Sequence, residues 1–384
     1  MGADFLEVSL NALKLIFFFL MMVQMVPLLV WLERRGAGFI QDRLGPNRVG
    51  PFGLTQLLAD AVKFLMKEEF IPQKAVKFLF YGAPIFALIP ASLALCAIPF
   101  GPKFEIPAFS FWGRHWGPYE FILQGYEVGV GIVFILAAAS LAVYSILMAG
   151  WGSGNKYSLL GAIRASSQII SYELALGLTI VAVVLIYGTF SLNEMVTLQR
   201  GPLSFEFFGK MVTIDFLPNW GIFYQPIGAF LFLAASFAES NRLPFDLPEG
   251  EAELVAGFHT EYGGFKMNLF FIGEYGHMIV ASALLITFYF GGYELPFLTS
   301  QELLAIYQEA FGVGLTSSLL NALTHFAVFM FKIFIVLWIF IHVRWTLPRF
   351  RYDQLMELGW KTMLPWALGN LLLTALIYVA SKTY

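Results

Sequence analysis

A chain of 384 residues that is 58% hydrophobic, 17% aromatic and only 13% charged carries too little polar surface to cover a water-soluble globule, where about 25% charged residues is usual. A mean hydropathy of +0.72 agrees, and the bilayer is the other available solvent. The net charge of −3 gives no pointer to a nucleic-acid partner and there is no basic tail; the single cysteine, Cys96, excludes a disulfide within the chain and a four-thiolate iron–sulfur cluster.

In chain order, the N-terminus carries Asp4 and Glu7 instead of a basic region, and the apolar run from Val8 to Leu32 is too long for a signal core. It reads as the first of about eight spans, near 9–32, 76–99, 120–149, 165–188, 222–241, 267–291, 322–345 and 363–381, each about 20 residues or more, enough to cross roughly 30 Å of hydrocarbon. Without an internal repeat or second domain, the expectation is one all-α polytopic bundle over residues 1–384. Lys and Arg crowd the odd-numbered loops (Arg34, Arg35, Arg43, Arg48, Lys63, Lys67, Lys74 and Lys77 in the first alone), whereas the even-numbered loops hold only Lys103, Arg114, Arg200 and Lys210. That bias puts the odd loops in the cytoplasm and both termini on the far, periplasmic side.

The first cytoplasmic loop opens on the turn-rich Gly45-Pro-Asn-Arg48-Val-Gly50-Pro51. From 52 to 68 the pattern becomes that of an amphipathic helix, with Leu54, Leu57, Leu58, Ala61 and Leu65 on one face and Gln56, Asp60, Lys63 and Lys67 on the other. Too short and too charged to span, it should lie in the interface plane. Further on, Gly150-Trp-Gly-Ser-Gly-Asn-Lys156 mimics a phosphate loop, but Asn155 separates Gly154 from Lys156 and no strand precedes it. The histidines His115, His259, His277, His325 and His342 show no metal-ligand spacing.

Charges inside the spans are the informative anomaly. Counted from Arg164, Glu173 lies roughly 13 Å deep; Glu274 sits about 10 Å in, and Glu127 matches it if the third span begins near Tyr119. Glu239 ends the fifth span and Lys332 lies within the seventh. An acidic or basic group at the middle of a membrane helix costs at least about 2.5–3.5 kcal/mol and commonly marks an ion or proton path. A buried ion pair with Lys332 is the plain alternative, though carboxylates outnumber it. The fifth loop, residues 238–262, adds Asp246, Glu249, Glu251, Glu253 and Glu261 against Arg242 alone, interleaved with Pro244, Phe245, Leu247, Leu254, Val255 and Phe258. Its order is not that of an EF-hand, which argues against calcium; the pattern predicts a loop folded back on the bundle.

Five stretches carry a resemblance: Glu33-Arg34-Arg35, Gln41 to Pro51, Ser158 to Glu173, Ala238 to Tyr262, and Leu347 to Met356. Together they resemble the family of the quinone-channel membrane subunit of NADH-quinone oxidoreductase (mitochondrial subunit 1 of respiratory complex I), with little recognisable in 101–118, 189–220 and 293–321. The resemblance implies a bacterial inner-membrane protein that binds no redox cofactor itself. It would sit between the other membrane-arm subunits and the hydrophilic arm, whose partner chains hold FMN and iron–sulfur clusters. Ubiquinone or menaquinone would enter through a tunnel touched by Glu33, Arg34, Asp60, Lys63, Arg242, Phe245 and Asp246. Proton coupling would fall to Glu239, Glu249, Glu251, Glu253, Glu173, Glu127 and Glu274, while Arg349 and Arg351 would dock the hydrophilic arm or organise the loops. A related membrane subunit of an energy-converting hydrogenase or F420 dehydrogenase shares the carboxylates. A stand-alone secondary transporter is the other alternative; many of these carry internal repeats, and none is seen in this sequence.

Overall fold

Long runs of apolar residues leave the backbone only itself to bond to, and in lipid that requirement selects helices. The computed structural model describes residues 2–106, 109–111, 114–116, 118–207, 210–246 and 255–383. Among these, seven helices are long and apolar enough to cross a membrane. They are α1 (Gly2–Ile40), α3 (Lys77–Cys96), α4 (Gly131–Gly152), α5 (Lys156–Tyr187), α9 (Gly264–Tyr289), α11 (Leu315–Thr346) and a last one made of α12 (Tyr352–Glu357), a π-turn at Leu358–Met363 and α13 (Leu364–Thr383). Pro365 follows that turn; lacking an N–H, it cannot close the regular ladder there. The expected fifth span is split at Gln225 into α7 (Gly221–Tyr224) and α8 (Pro226–Glu239), with Pro226 at the first helical position, where its missing N–H costs nothing.

The loops sort into two ends. At one, Val76 donates to the Gly152 carbonyl at 2.9 Å, Phe350 to Pro244 at 3.1 Å, and Asn155 to Glu261 at 2.7 Å; we call this the first-loop end. At the other, Gly125 donates to Cys96 at 2.9 Å, Tyr119 to Asn11 at 3.4 Å, and Gln225 to Thr374 at 2.6 Å, so both termini belong to this opposite end.

Packing between α3 and its neighbours α4 and α9 rests on small side chains. Ala83, Ala87, Ala91 and Ala94 are all buried on α3, and a Cβ on Gly273 of α9 would come within 2.7 Å of the Ala87 carbonyl. Between apolar helices in lipid, close van der Waals approach of this kind replaces a hydrophobic drive. The glycine-rich segment at 150–154 proves to be the α4–α5 turn. A Cβ on Gly150 would meet that of Ala162 at 2.3 Å, Gly154 has φ 66°, and Asn155 caps α5 by accepting from the Tyr157 amide at 3.0 Å. It needs no phosphate to explain it.

The first, seventh and last helices run past their expected bounds, to Ile40, from Leu315 and from Tyr352, and three further differences bear on the site. Helix α4 begins at Gly131, not near 120, because Tyr119–Phe121 (β4) pairs antiparallel with Phe104–Ile106 (β1) and the Gly129–Gly131 stretch breaks any helix between. Helix α5 starts at Lys156, nine residues ahead of 165, continuing the apolar face through Ala162 and Ala165. The segment 52–68 is a 3-10 turn (Pro51–Gly53) followed by α2 (Gln56–Met66). Helix α2 has no buried residue, and Leu58, Val62, Leu65 and Met66 stand exposed. The loops of the opposite end also hold hairpins β2–β3 (Phe109–Phe111 with Arg114–Trp116) and β5–β6 (Pro202–Phe207 with Lys210–Pro218), with α6 (Leu192–Leu198) before the latter. Helix α10 (Ser300–Phe311) opens on a capping box between Thr299 and Glu302.

Candidate functional site: a charged cluster at the first-loop end

Three consecutive residues of α1 diverge at about 100° per residue and take three jobs. Glu33 turns inward and is 7% exposed; Arg34 reaches Asp60 of α2 at 2.5 Å; Arg35 donates to the carbonyls of Pro46 and Phe52 at 3.3 and 3.1 Å, fastening the turn-rich loop.

Around Glu33 four elements converge. Tyr275 of α9 donates to it at 2.5 Å, Arg344 of α11 forms a close ion pair with it, and Arg242, just past α8, stands at 3.9 Å. Arg242 also faces Glu274 at 4.0 Å, and its guanidinium lies 3.9 Å from the centre of the Tyr275 ring. On the far side of Glu274, His259 Nε2 is 3.8 Å from Oε1. Burial, reinforced by the Arg242 guanidinium, pushes the His259 imidazole down to about 3, so it is neutral at pH 7. Two carboxylates and two guanidiniums then balance, the condition on which charges survive out of water. Beside them Arg349 pairs with buried Asp246 at 2.9 Å, closing the fifth loop onto the segment after α11.

A second group lies deeper. Glu173 of α5 is hydrogen-bonded to the Ser140 hydroxyl of α4, and Glu239 stands close enough for the two carboxylates to interact electrostatically. A cavity of about 40 Å³ has both Glu239 and Glu274 in its wall, together with His277. It thus joins the two groups.

The other sequence-derived site residues fall elsewhere. Phe245 is a core residue, edge-on to Tyr172 with centroids 5.3 Å apart and packed on Phe350; its carbonyl accepts from Gln168 at 2.7 Å. Lys63 is exposed on α2. Glu127 corrects the expectation of a mid-span carboxylate. It precedes α4 at the opposite end, exposed, with Lys103 and Asn193 each at 3.2 Å. Glu249, Glu251 and Glu253 lie outside the described residues. Lys332 pairs with none of the span carboxylates named above; its ammonium donates to the carbonyls of Phe290, Gly292 and Glu294 at 2.8, 2.9 and 2.7 Å, closing the C-terminal end of α9. Sequence reasoning missed Tyr275, Arg344, His259 and Ser140. Only Tyr275, adjacent to Glu274, carried a local signal. Among the described residues no group of three His, Cys, Asp or Glu is disposed to hold a metal ion.

A polytopic helical protein with ionised groups paired at one end of its bundle is the class this geometry defines. Residues 13–375 match the family described as NADH dehydrogenase, and the chain belongs to that family. It is similar to the H subunit of NADH-quinone oxidoreductase from Bdellovibrio bacteriovorus, 64% identical over 385 residues and 99% of both chains. It is also similar to the H subunits of the same enzyme from Cytophaga hutchinsonii, 46% identical over 342 residues and 89% of each chain, and from Geobacter sulfurreducens, 42% identical over 369 residues and 96% of each.

Proposed function

We propose that this chain is the membrane subunit of a proton-pumping NADH:quinone oxidoreductase of a bacterial inner membrane, with both termini periplasmic. In this reading its first-loop end forms the quinone-access tunnel and its carboxylates begin the proton-coupling path. Electrons come from partner chains carrying FMN and iron–sulfur clusters, and the quinone is a ubiquinone or menaquinone. A quinone tail needs apolar walls and its headgroup a few polar contacts; α2, with its exposed leucines beside the Arg34–Asp60 pair, suits the tunnel mouth. Inside, the Glu33, Arg242 and Asp246 neighbourhood supplies the polar contacts. Reduction of the headgroup consumes protons, so the local field changes beside Arg242, and Glu274 and Glu239 are the next groups able to respond.

The observation that carries the reading is the continuity from Glu33 through Arg242 and Glu274 to Glu239 across one shared cavity. Glu239→Gln keeps the shape and removes the titrating group. Coupled quinone reduction by NADH should fall by about 100-fold, the scale of losing a positioned proton-transfer group. Electron transfer from NADH to an artificial acceptor should persist. Unchanged quinone reduction with unchanged proton pumping would remove Glu239 from the path. A photoreactive quinone analogue should label residues 33–67 or 240–262; labelling confined to the opposite end would sink the tunnel.

A further inference from the structure

His277 lies three residues beyond Glu274 on α9, on the same helix face. It lines the cavity shared by Glu274 and Glu239, and its Nε2 is buried with no hydrogen-bond partner among the described residues. Asn241, also in the wall, has its buried Oδ1 in the same condition. The two serines of the wall are already engaged, Ser145 donating to Ala142 at 2.7 Å and Ser240 to Ser236 at 2.8 Å. The rest of the wall, from α3, α4, α5, α9 and the 3-10 turn Gly257–His259, is made of Ala, Ile, Phe and Gly residues. The titratable groups that face the cavity are therefore Glu239, Glu274 and His277.

A cavity of about 40 Å³ has room for ~3 waters at roughly 10–15 Å³ each, and a buried water wants two to four polar partners. Two unsatisfied polar atoms and two carboxyl groups around one such space supply that number. We infer that His277 is a positioning residue for a bound water that passes the proton between Glu274 and Glu239. The inference rests on the coupling path proposed above. In the step itself, the O–H bond of protonated Glu274 breaks toward the water while an O–H bond of the water breaks toward the Glu239 carboxylate. One proton moves, the water is regenerated and no electron is transferred. His277 stays neutral and fixes the water through its unpartnered ring nitrogen, which donates or accepts according to tautomer.

The test is made on the assembled complex in native membranes with His277→Leu, His277→Ala and His277→Gln. The readouts are NADH:quinone reduction, protons pumped per electron, and NADH oxidation by an artificial acceptor as a measure of assembly. Leu fills the site with apolar surface, whereas Ala leaves space for water and Gln supplies a new polar partner. Quinone reduction should fall at least about tenfold in His277→Leu, below the usual range for a group acting directly on the proton. It should be largely kept in His277→Gln and intermediate in His277→Ala. A packing role predicts the reverse order of Ala and Leu, and that order, or a wild-type rate in His277→Leu, overturns the inference. If His277→Leu fails to assemble, His277→Gln decides: an assembled but uncoupled glutamine variant overturns it, and a coupled one exceeding His277→Ala upholds it. Glu239→Gln separates the two levels. Loss of coupling there with a normal His277→Leu rejects only the water site, whereas normal coupling in Glu239→Gln rejects the path on which it depends.

Discussion

The two ends of the bundle both bury charge, and they do so differently. At the first-loop end, Glu33, Glu274, Arg242 and Arg344 neutralise one another at spacings that include 3.9 and 4.0 Å, and a cavity adjoins Glu274. At the opposite end, Glu294 pairs with Arg200 at 2.7 Å and lies 3.6 Å from His325 Nε2, while Lys332 is saturated by three carbonyls. Three backbone carbonyls are rigid acceptors that use all three protons of the Lys332 ammonium, which makes that contact a lock. In the first-loop cluster Glu33 is held closely by Arg344 and Tyr275, whereas Arg242 stands at longer range from two carboxylates, and a charge shared in that way among three helices and a loop can be redistributed when one member changes charge. On the function proposed above, the same residue types serve a switchable site at one end and a fastening at the other.

The largest effect should come from breaking the centre of the first cluster. Arg242→Met leaves the neighbouring buried carboxylates short of one counter-charge, and removing one member of a buried pair costs roughly 3–5 kcal/mol. Coupled quinone reduction should vanish and the complex should denature at lower temperature. A double variant, Arg242→Met with Glu274→Gln, removes both charges and should recover part of the stability without the coupling. If the double variant is no more stable than the single, the two side chains are energetically independent. The matching change at the opposite end is Glu294→Gln, which strands Arg200 and loosens the loop after α9. It should cost less than the roughly 3–5 kcal/mol of a fully buried pair, because the Arg200 side chain is 27% exposed, and should lower the thermal midpoint. Protons pumped per electron should stay unchanged in whatever complex survives. A changed ratio would abolish the contrast between lock and switch.

Which of this the sequence discloses depends on distance along the chain. Arg242 stood out as the single cation in an acidic loop, and Glu239, Glu173 and Glu274 as carboxylates in apolar runs. Period and hydropathy are local properties, and those residues announce themselves locally. Arg344 does not, and Tyr275 does so only through its neighbour Glu274, because the meaning of both comes from Glu33, 242 residues away from Tyr275 in sequence. The lock is invisible for the same reason, since Arg200 and Glu294 are 94 residues apart in loops without a repeating pattern. The misplaced start of the third span has another cause. Aromatic and β-branched runs read alike as strand or buried helix when short, and 119–121 took a partner in 104–106. With that strand goes the assignment of Glu127 to mid-membrane.

A smaller effect comes from His259, whose protonation the folded protein resists. Its imidazole is pushed down to about 3 by burial and Arg242, whereas an unfolded chain takes up the proton near pH 6.5. Between those values the unfolded state binds more protons, so stability is fully present above about pH 6.5 and falls as pH drops. The slope approaches roughly 1.4 kcal/mol per pH unit. The thermal midpoint of the purified complex should therefore fall between pH 7.5 and pH 5.5. His259→Asn should remove about one proton's worth of that slope. An identical slope in the variant would mean that other groups carry the pH dependence.

The smallest effect tests where the switchable end stops. Arg34 and Asp60 form a 2.5 Å pair, with Gln56 donating to the same carboxylate group at 3.1 Å, yet the side chains are 46% and 21% exposed. Solvent-screened pairs of this kind contribute about 0.2–1 kcal/mol, so Arg34→Ala should barely alter the thermal midpoint. Helix α2 has no buried residue, and this pair is one of few polar ties holding it to α1. Loss of the tie should therefore appear in function, as weaker apparent quinone affinity with an unchanged limiting rate. A double-mutant cycle with Asp60→Ala should show the two changes to be non-additive in that affinity. Additive losses would mean that each side chain meets the quinone separately; a lowered limiting rate with unchanged affinity would move the pair from the tunnel mouth into the coupling machinery.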